Sequence, residues 1–130
     1  METTSENKMK YNPYWEHIGL KEVELKCGQS ILELPIIYEV TQSRNNVHGG
    51  VIASMIDAAV GAALRSTLEN GKAGVTVEMK LNYLRPANGE KLVAKGKILK
   101  KGKSLAVGEA VIENDTGQEV AVGLVTYMLN

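Results

Sequence analysis

Polar and apolar residues change rhythm along this chain, and each rhythm predicts a different element. From Leu20 to Cys27, Val23, Leu25 and Cys27 alternate with Glu22, Glu24 and Lys26, the two-residue period of a half-buried strand. Ahead of it, NPYWEHIG reads as a short helix, with Pro13 in the first turn and Gly19 at the end. SILELPIIYEV predicts a second strand in which Pro35 marks an edge or a bulge. After the polar loop TQSRNNVHGG the rhythm is lost, because the chain becomes apolar on nearly every side. Rich in Ala, Met, Leu and Ile, this stretch predicts a helix from Gly49 to about Glu69, buried almost all round. Alternation then returns in GVTVEMKLNYL, with Val75, Val77, Met79, Leu81 and Tyr83 on one face and Thr76, Glu78, Lys80 and Asn82 on the other. Pro86 and ANGE turn the chain, and KLVAKGKILK, SLAVGEAVIEN and EVAVGLVTYML follow on links short enough for antiparallel hairpins.

One helix cannot cover a sheet of this size as a flat layer and also be buried all round. A curved antiparallel sheet wrapped about the helix meets both demands, and the fold class is α+β because strands and helices do not alternate. At 130 residues the chain is expected to form one domain over 13–130 behind a polar, flexible tail at 1–12. Hydrophobic residues make up 44%, with one Trp, five Tyr and no Phe, so the core must be aliphatic.

Charge and cysteine content narrow the chemistry. Fifteen basic residues balance 15 acidic ones, which argues against a nucleic-acid partner. The single Cys27 rules out an internal disulfide and a four-cysteine metal site. No apolar run approaches the roughly 20 residues of a membrane span. The opening METTSENKMK lacks the apolar core of a secretory signal, so a cytoplasmic protein without a membrane partner is expected.

Asp57 stands out within the apolar helix, since an ionised side chain there is costly unless something pairs with it or uses it. Gly49 and Gly50 open the same helix, where free N–H groups and the positive end of the dipole suit a developing oxyanion. A Gly-Gly pair alone equally serves a tight turn into a helix. Eight residues separate Gly49 from Asp57, about 12 Å of helix axis. If Asp57 is functional it must therefore serve the helix start of a second copy, across a two-fold axis; otherwise it is a structural carboxylate bonded to Ser54, a main-chain amide or Arg65. His48 is suited to fixing the loop or bonding substrate. His17, Trp15 and Cys27 read as packing residues, and two histidines in different elements make no metal site. Between residues 85 and 103, Arg85, Lys91, Lys95, Lys97, Lys100, Lys101 and Lys103 face a single acid, Glu90. Some of these suit a lysine-guarded sheet edge, whereas the turn KKGKS suits a phosphate without being a P-loop.

These segments together resemble a known family. HGG with an aspartate nine residues beyond its histidine, then GVTVEMKLNYLRPA and LKKGKSLA, is similar to the hotdog-fold acyl-CoA thioesterases of the phenylacetate-degradation type, over nearly the whole chain from about residue 15. The resemblance implies a hotdog fold and hydrolysis of an acyl-CoA to acid and CoA. It further implies that the N–H at Gly49 or Gly50, next to His48, polarises the thioester carbonyl. Asp57 of the neighbouring subunit would be nucleophile or general base. Gln42 would lie near the carbonyl or the attacking water, and Thr76 would assist the carboxylate or the water. CoA contacts would fall at Tyr83, Arg85 and Pro86 and at Lys100, Lys101, Gly102, Lys103 and Ser104. A homodimer would form the active site and pair into a homotetramer, with no metal and no cofactor beyond the CoA of the substrate. Two other readings of the same fold are a non-catalytic acyl-CoA sensor and a hydratase or dehydratase. Ala53, Ala58, Ala59, Gly61 and Ala62 leave room for an acyl group, aryl or aliphatic.

Overall fold

A computed structural model describes residues 12–69 and 72–129. The expected tail thus lies outside the described residues, except Asn12. That side chain accepts a hydrogen bond from the Trp15 N–H at 3.2 Å and caps helix α1 (Pro13–Ile18), which ends on Gly19 at φ 84°. Strands β1 (Lys21–Lys26) and β2 (Gln29–Pro35), helix α2 (Gly49–Arg65), then β3 (Gly74–Tyr83), β4 (Lys91–Lys101), β5 (Leu105–Glu113) and β6 (Glu119–Leu129) complete the fold. All six strands form one antiparallel sheet in the order β1-β2-β4-β5-β6-β3, wrapped against α2 as the sequence pattern requires. No helix among the described residues is long and apolar enough to cross a membrane.

The core lies between α2 and the inner sheet face. Met55, Ile56, Val60 and Leu64 from the helix are fully buried with Leu32, Leu34, Leu92, Ile112 and Val125 from the strands. Helix and sheet meet closely at Gly96, where a Cβ would lie 2.5 Å from the Ala59 carbonyl oxygen. The buried Ser30 hydroxyl donates to that same oxygen at 2.7 Å, satisfying a carbonyl tied to the sheet.

Four sequence expectations need correction. Helix α2 stops at Arg65 rather than near Glu69, because the hydroxyls of Ser66 and Thr67 fold back onto the carbonyls of Ala63 and Leu64 at 2.7 and 2.8 Å. Nor is it buried all round: Gly50, Ser54, Asp57, Gly61 and Arg65 form a stripe, spaced three or four residues apart, that the sheet leaves partly open. The second strand ends at Pro35, and Tyr38–Val40 is a 3-10 turn. In β1, Val23 is an extra residue between Glu22, paired with Leu32, and Glu24, paired with Ile31. This bulge breaks the expected alternation, exposes Val23 and lets Glu22 form an ion pair with Arg65, while Cys27 sits exposed in the following turn.

The bulge in β3 matters more. Thr76 pairs with Tyr127 and Glu78 with Thr126 on β6, so Val77 has no opposite number. Strict alternation would put Thr76 outside with Glu78 and Lys80. With one residue extra, Thr76 joins Met79, Leu81 and Tyr83 on the side of α2, and Val75 turns outward opposite Met128. Strand β3 is also a sheet edge, pairing with β6 alone among the described residues, and Val75 and Val77 are 54% and 50% exposed along it.

Candidate active site

Asp57 lies on the open stripe of α2, where two strands deliver hydroxyls to it. Thr76 Oγ1 donates to Asp57 Oδ1 at 2.8 Å, and the Tyr127 hydroxyl donates to the same oxygen at 2.6 Å. Tyr127 also lies 2.8 Å from the Asp57 main-chain carbonyl. Among the described residues none donates to Oδ2. Burial, and next the hydrogen bond to Asp57, raise the Tyr127 phenol well above its ordinary pKa, so it remains a proton donor. A groove of about 530 Å³ opens at this carboxylate and is lined by Gly61, Leu64 and Leu68 on the α2 side and also by Tyr14 and Trp15 of α1. Arg65, whose pKa is lowered chiefly by burial, lines the groove while paired to Glu22. Asp57 is therefore not bonded to Ser54, whose hydroxyl instead donates to the Gly50 carbonyl at 2.9 Å and meets the Tyr14 hydroxyl at 2.9 Å.

The other half of the expected chemistry sits at the start of α2. His48 is the N-cap, and its Nδ1 accepts the Gly50 N–H at 2.8 Å. That contact requires Nδ1 to be unprotonated, and it occupies the Gly50 donor. The Gly49 N–H donates to no described residue, while its carbonyl accepts from the Tyr83 hydroxyl at 2.7 Å. Of the two glycines, Gly49 is thus the one with an N–H to offer. Gln42 belongs to the loop leading into this end. Its Oε1 accepts from the Arg44 and Asn46 N–H groups and holds a turn in which Asn45 has φ 68°.

The basic segment is not one patch. Lys91, Lys95 and Lys97 pair across strands with Glu33, Glu113 and Glu109 at 3.3, 3.2 and 3.6 Å, as a solvated sheet face would. Tyr83, Arg85 and Pro86 lie at the α2 start, where Val47 N–H donates to the Ala87 carbonyl at 2.8 Å and Arg85 reaches the Glu119 carbonyl. Lys100, Lys101, Gly102, Lys103 and Ser104 lie at the far end of β4, roughly 33 Å along the strand from Lys91, where Lys101 Nζ donates to the Thr67 carbonyl at 2.9 Å. Among the described residues no cluster of His, Cys, Asp and Glu is disposed to hold a metal ion.

Sequence reasoning missed Tyr127. Its one signal was a hydroxyl-bearing residue in EVAVGLVTYML at a position in phase with the buried Ala121 and Val125.

Residues 44–121 match the family model described as the thioesterase superfamily. Acyl-coenzyme A thioesterase 13 of Homo sapiens is 37% identical over 98 residues, covering 74% of this chain and 69% of that one. A thioesterase family protein from Silicibacter pomeroyi superposes with a TM-score of 0.86 at 30% identity, covering 91% and 89% of the two chains. The PaaI protein of the E. coli phenylacetic acid degradation operon has the same fold, with a TM-score of 0.84 at 21% identity over 92% of this chain and 85% of its own.

Proposed function

The chain belongs to the thioesterase superfamily, with a hotdog fold of the PaaI type, and is a thioester hydrolase; we propose that it cleaves acyl-CoA at a site completed by two subunits. One observation carries this reading. Asp57 is anchored through Oδ1 with Oδ2 left open, yet it lies about 12 Å along the helix axis from the unspent N–H of Gly49. A carbonyl within 3 Å of that N–H is beyond reach of the same chain's carboxylate. An antiparallel copy of α2 across a two-fold axis brings the missing half to each end.

Two features of the protomer favour such a pairing. Strand β3 offers an apolar, unpaired edge, and the open stripe of α2 runs beside it with small residues at Gly50, Ser54 and Gly61. The same operation reunites the two expected CoA segments. It carries the Lys100–Ser104 turn of one subunit toward the Arg85–Pro86 end of the other, segments that the single chain keeps at opposite ends of β4.

In this site the thioester oxygen accepts from Gly49 N–H at the positive end of α2, which stabilises the tetrahedral oxyanion. His48, by occupying Gly50, fixes the turn that aims Gly49. Gln42 holds the loop behind it. The partner's Asp57 Oδ2 attacks the carbonyl carbon or takes a proton from the water that does. Collapse expels CoA as a thiolate, a good leaving group that needs no strong general acid; on the nucleophile route water then cleaves the mixed anhydride left on Asp57, releasing the acid and restoring the carboxylate. The groove beside Asp57 receives the acyl group, and Lys100, Lys101 and Lys103 neutralise CoA phosphates. Two such dimers would make the expected tetramer.

The test is Asp57→Asn, which keeps shape and removes the charge. Thiol release from acyl-CoA should fall by at least about 100-fold with the circular dichroism spectrum and assembly size unchanged. Full activity in this variant would remove the assignment. A panel of aryl and aliphatic acyl-CoA thioesters compared by kcat/KM then identifies the acyl group.

A further inference from the structure

We propose that Tyr127 is a positioning residue of this site: its hydroxyl and that of Thr76 hold Asp57 Oδ1 so that Oδ2 is the oxygen presented to the thioester. The inference rests on the reading of Asp57 given above and goes beyond it. A carboxylate turns easily about its last torsion, which has a broad two-fold profile. Two donors placed on different oxygens would leave either one half-blocked. Here both donors converge on Oδ1, at 2.8 Å from Thr76 and 2.6 Å from Tyr127, and Oδ2 is left without a described donor. The carboxylate is then oriented and only one of its oxygens is open to react. Convergence is written into the sheet, because Thr76 and Tyr127 are direct partners across β3 and β6.

The fold also clears space for this phenol. A Cβ on Gly61 would lie 2.6 Å from the Tyr127 hydroxyl, and one on Gly74 would lie 3.2 Å from its ring. Glycines on both sides permit the close approach that puts the hydroxyl against Asp57. A phenol needed only to fill the core would not require its oxygen at 2.6 Å from a carboxylate, since phenylalanine fills nearly the same volume. Burial and the Asp57 hydrogen bond keep the phenol protonated, so it can donate throughout the neutral range. Its single proton is drawn first to the charged oxygen, which is the stronger acceptor than the main-chain carbonyl at 2.8 Å.

Tyr127→Phe removes the hydroxyl and keeps the ring, and it is compared with Thr76→Ala, the double variant and Asp57→Asn by thiol release from an acyl-CoA that the wild type cleaves. A hydrogen bond to a charged group predicts that kcat falls about 10- to 100-fold in Tyr127→Phe, with KM unchanged. Because both donors act on one oxygen, the double variant should lose less than the product of the single losses. Should Asp57→Asn be inactive while Tyr127→Phe keeps the wild-type kcat, or loses only in KM, the positioning role is overturned and the thioesterase reading stands. Should Asp57→Asn itself remain active, the reading of the site fails and this inference falls with it. A second measurement needs no change at Tyr127. Ultraviolet titration of tyrosinate should show one phenol ionising at lower pH in Asp57→Asn than in the wild type, and coincident curves overturn the proposal.

Discussion

Mixing two inactive variants should restore activity, and the amount restored follows from where the half-sites lie. Asp57→Asn removes the carboxylate. Gly49→Pro removes the main-chain donor at a helix position that accepts proline, the first after the N-cap. His48 already has φ −59° and ψ 137°, the extended backbone that must precede a proline. The nearest atom to an added Cβ is the Tyr83 hydroxyl at 3.2 Å, the movable end of a side chain. Loss of one oxyanion donor costs about 100- to 1,000-fold in kcat, so each variant alone is close to silent. Equal amounts, co-expressed with two affinity tags and allowed to assemble at random, give about half mixed dimers. Each mixed dimer joins the intact Gly49 of one chain to the intact Asp57 of the other, and its second site carries both lesions. About one quarter of wild-type thiol release per subunit is therefore expected, rising to about one half in dimers isolated through both tags. If Gly49 and Asp57 of one chain served the same carbonyl, every chain in the mixture would remain defective. A mixture no more active than its two components, with mixed dimers demonstrated, would refute the shared site.

Two further outcomes follow from packing and titration. Gly96→Ala forces a methyl to within 2.5 Å of the Ala59 carbonyl oxygen, a main-chain atom that cannot swing aside. It should cost about 3 kcal/mol and lower Tm by roughly 10 °C in a thermal scan, and an unchanged Tm would show that helix and sheet are not so tightly seated. The alkaline limb of stability should carry the signature of Tyr127, whose folded pKa is raised above 10.0 by burial first and the Asp57 hydrogen bond second. The group's contribution is complete below the unfolded pKa and is lost as pH climbs toward the folded one, because the unfolded chain releases the phenol proton first. Stability to urea should fall by up to about 1.4 kcal/mol per pH unit above pH ~10, and Tyr127→Phe should remove that component, so parallel slopes for the two proteins would contradict it.

The sequence carried the plan of the molecule because its strongest signals are periodic. Three alternating segments joined by short links read as hairpins, and the mostly apolar segment from Val51 to Leu64 had to place most of its surface against the sheet. The separation of Asp57 from Gly49 was legible for a related reason: a helix converts residue number into length. Where sequence failed, proximity along the chain misled. Arg85 and Lys103 looked like one basic cluster, yet strand β4 carries its two ends far apart. Tyr127 went unnoticed because its partner Asp57 is 70 residues away and arrives only through sheet pairing. The C-terminal end of α2 and the bulges at Val23 and Val77 were hidden because side-chain hydroxyls and single extra residues decide them, and neither disturbs the hydrophobic pattern enough to be seen.

The extra residue in β3 has a consequence for anyone comparing or redesigning such strands. Beyond Val77, inside and outside follow one parity of residue number; before it they follow the other. An ungapped alignment to a strand lacking the insertion would match Thr76 to a residue on the wrong side of the sheet, however similar the letters. Shortening the strand by one residue at Val77 would change no chemical group at the site and yet send the Thr76 hydroxyl away from Asp57. At this position the number of residues, more than their kind, selects which side chain meets Asp57.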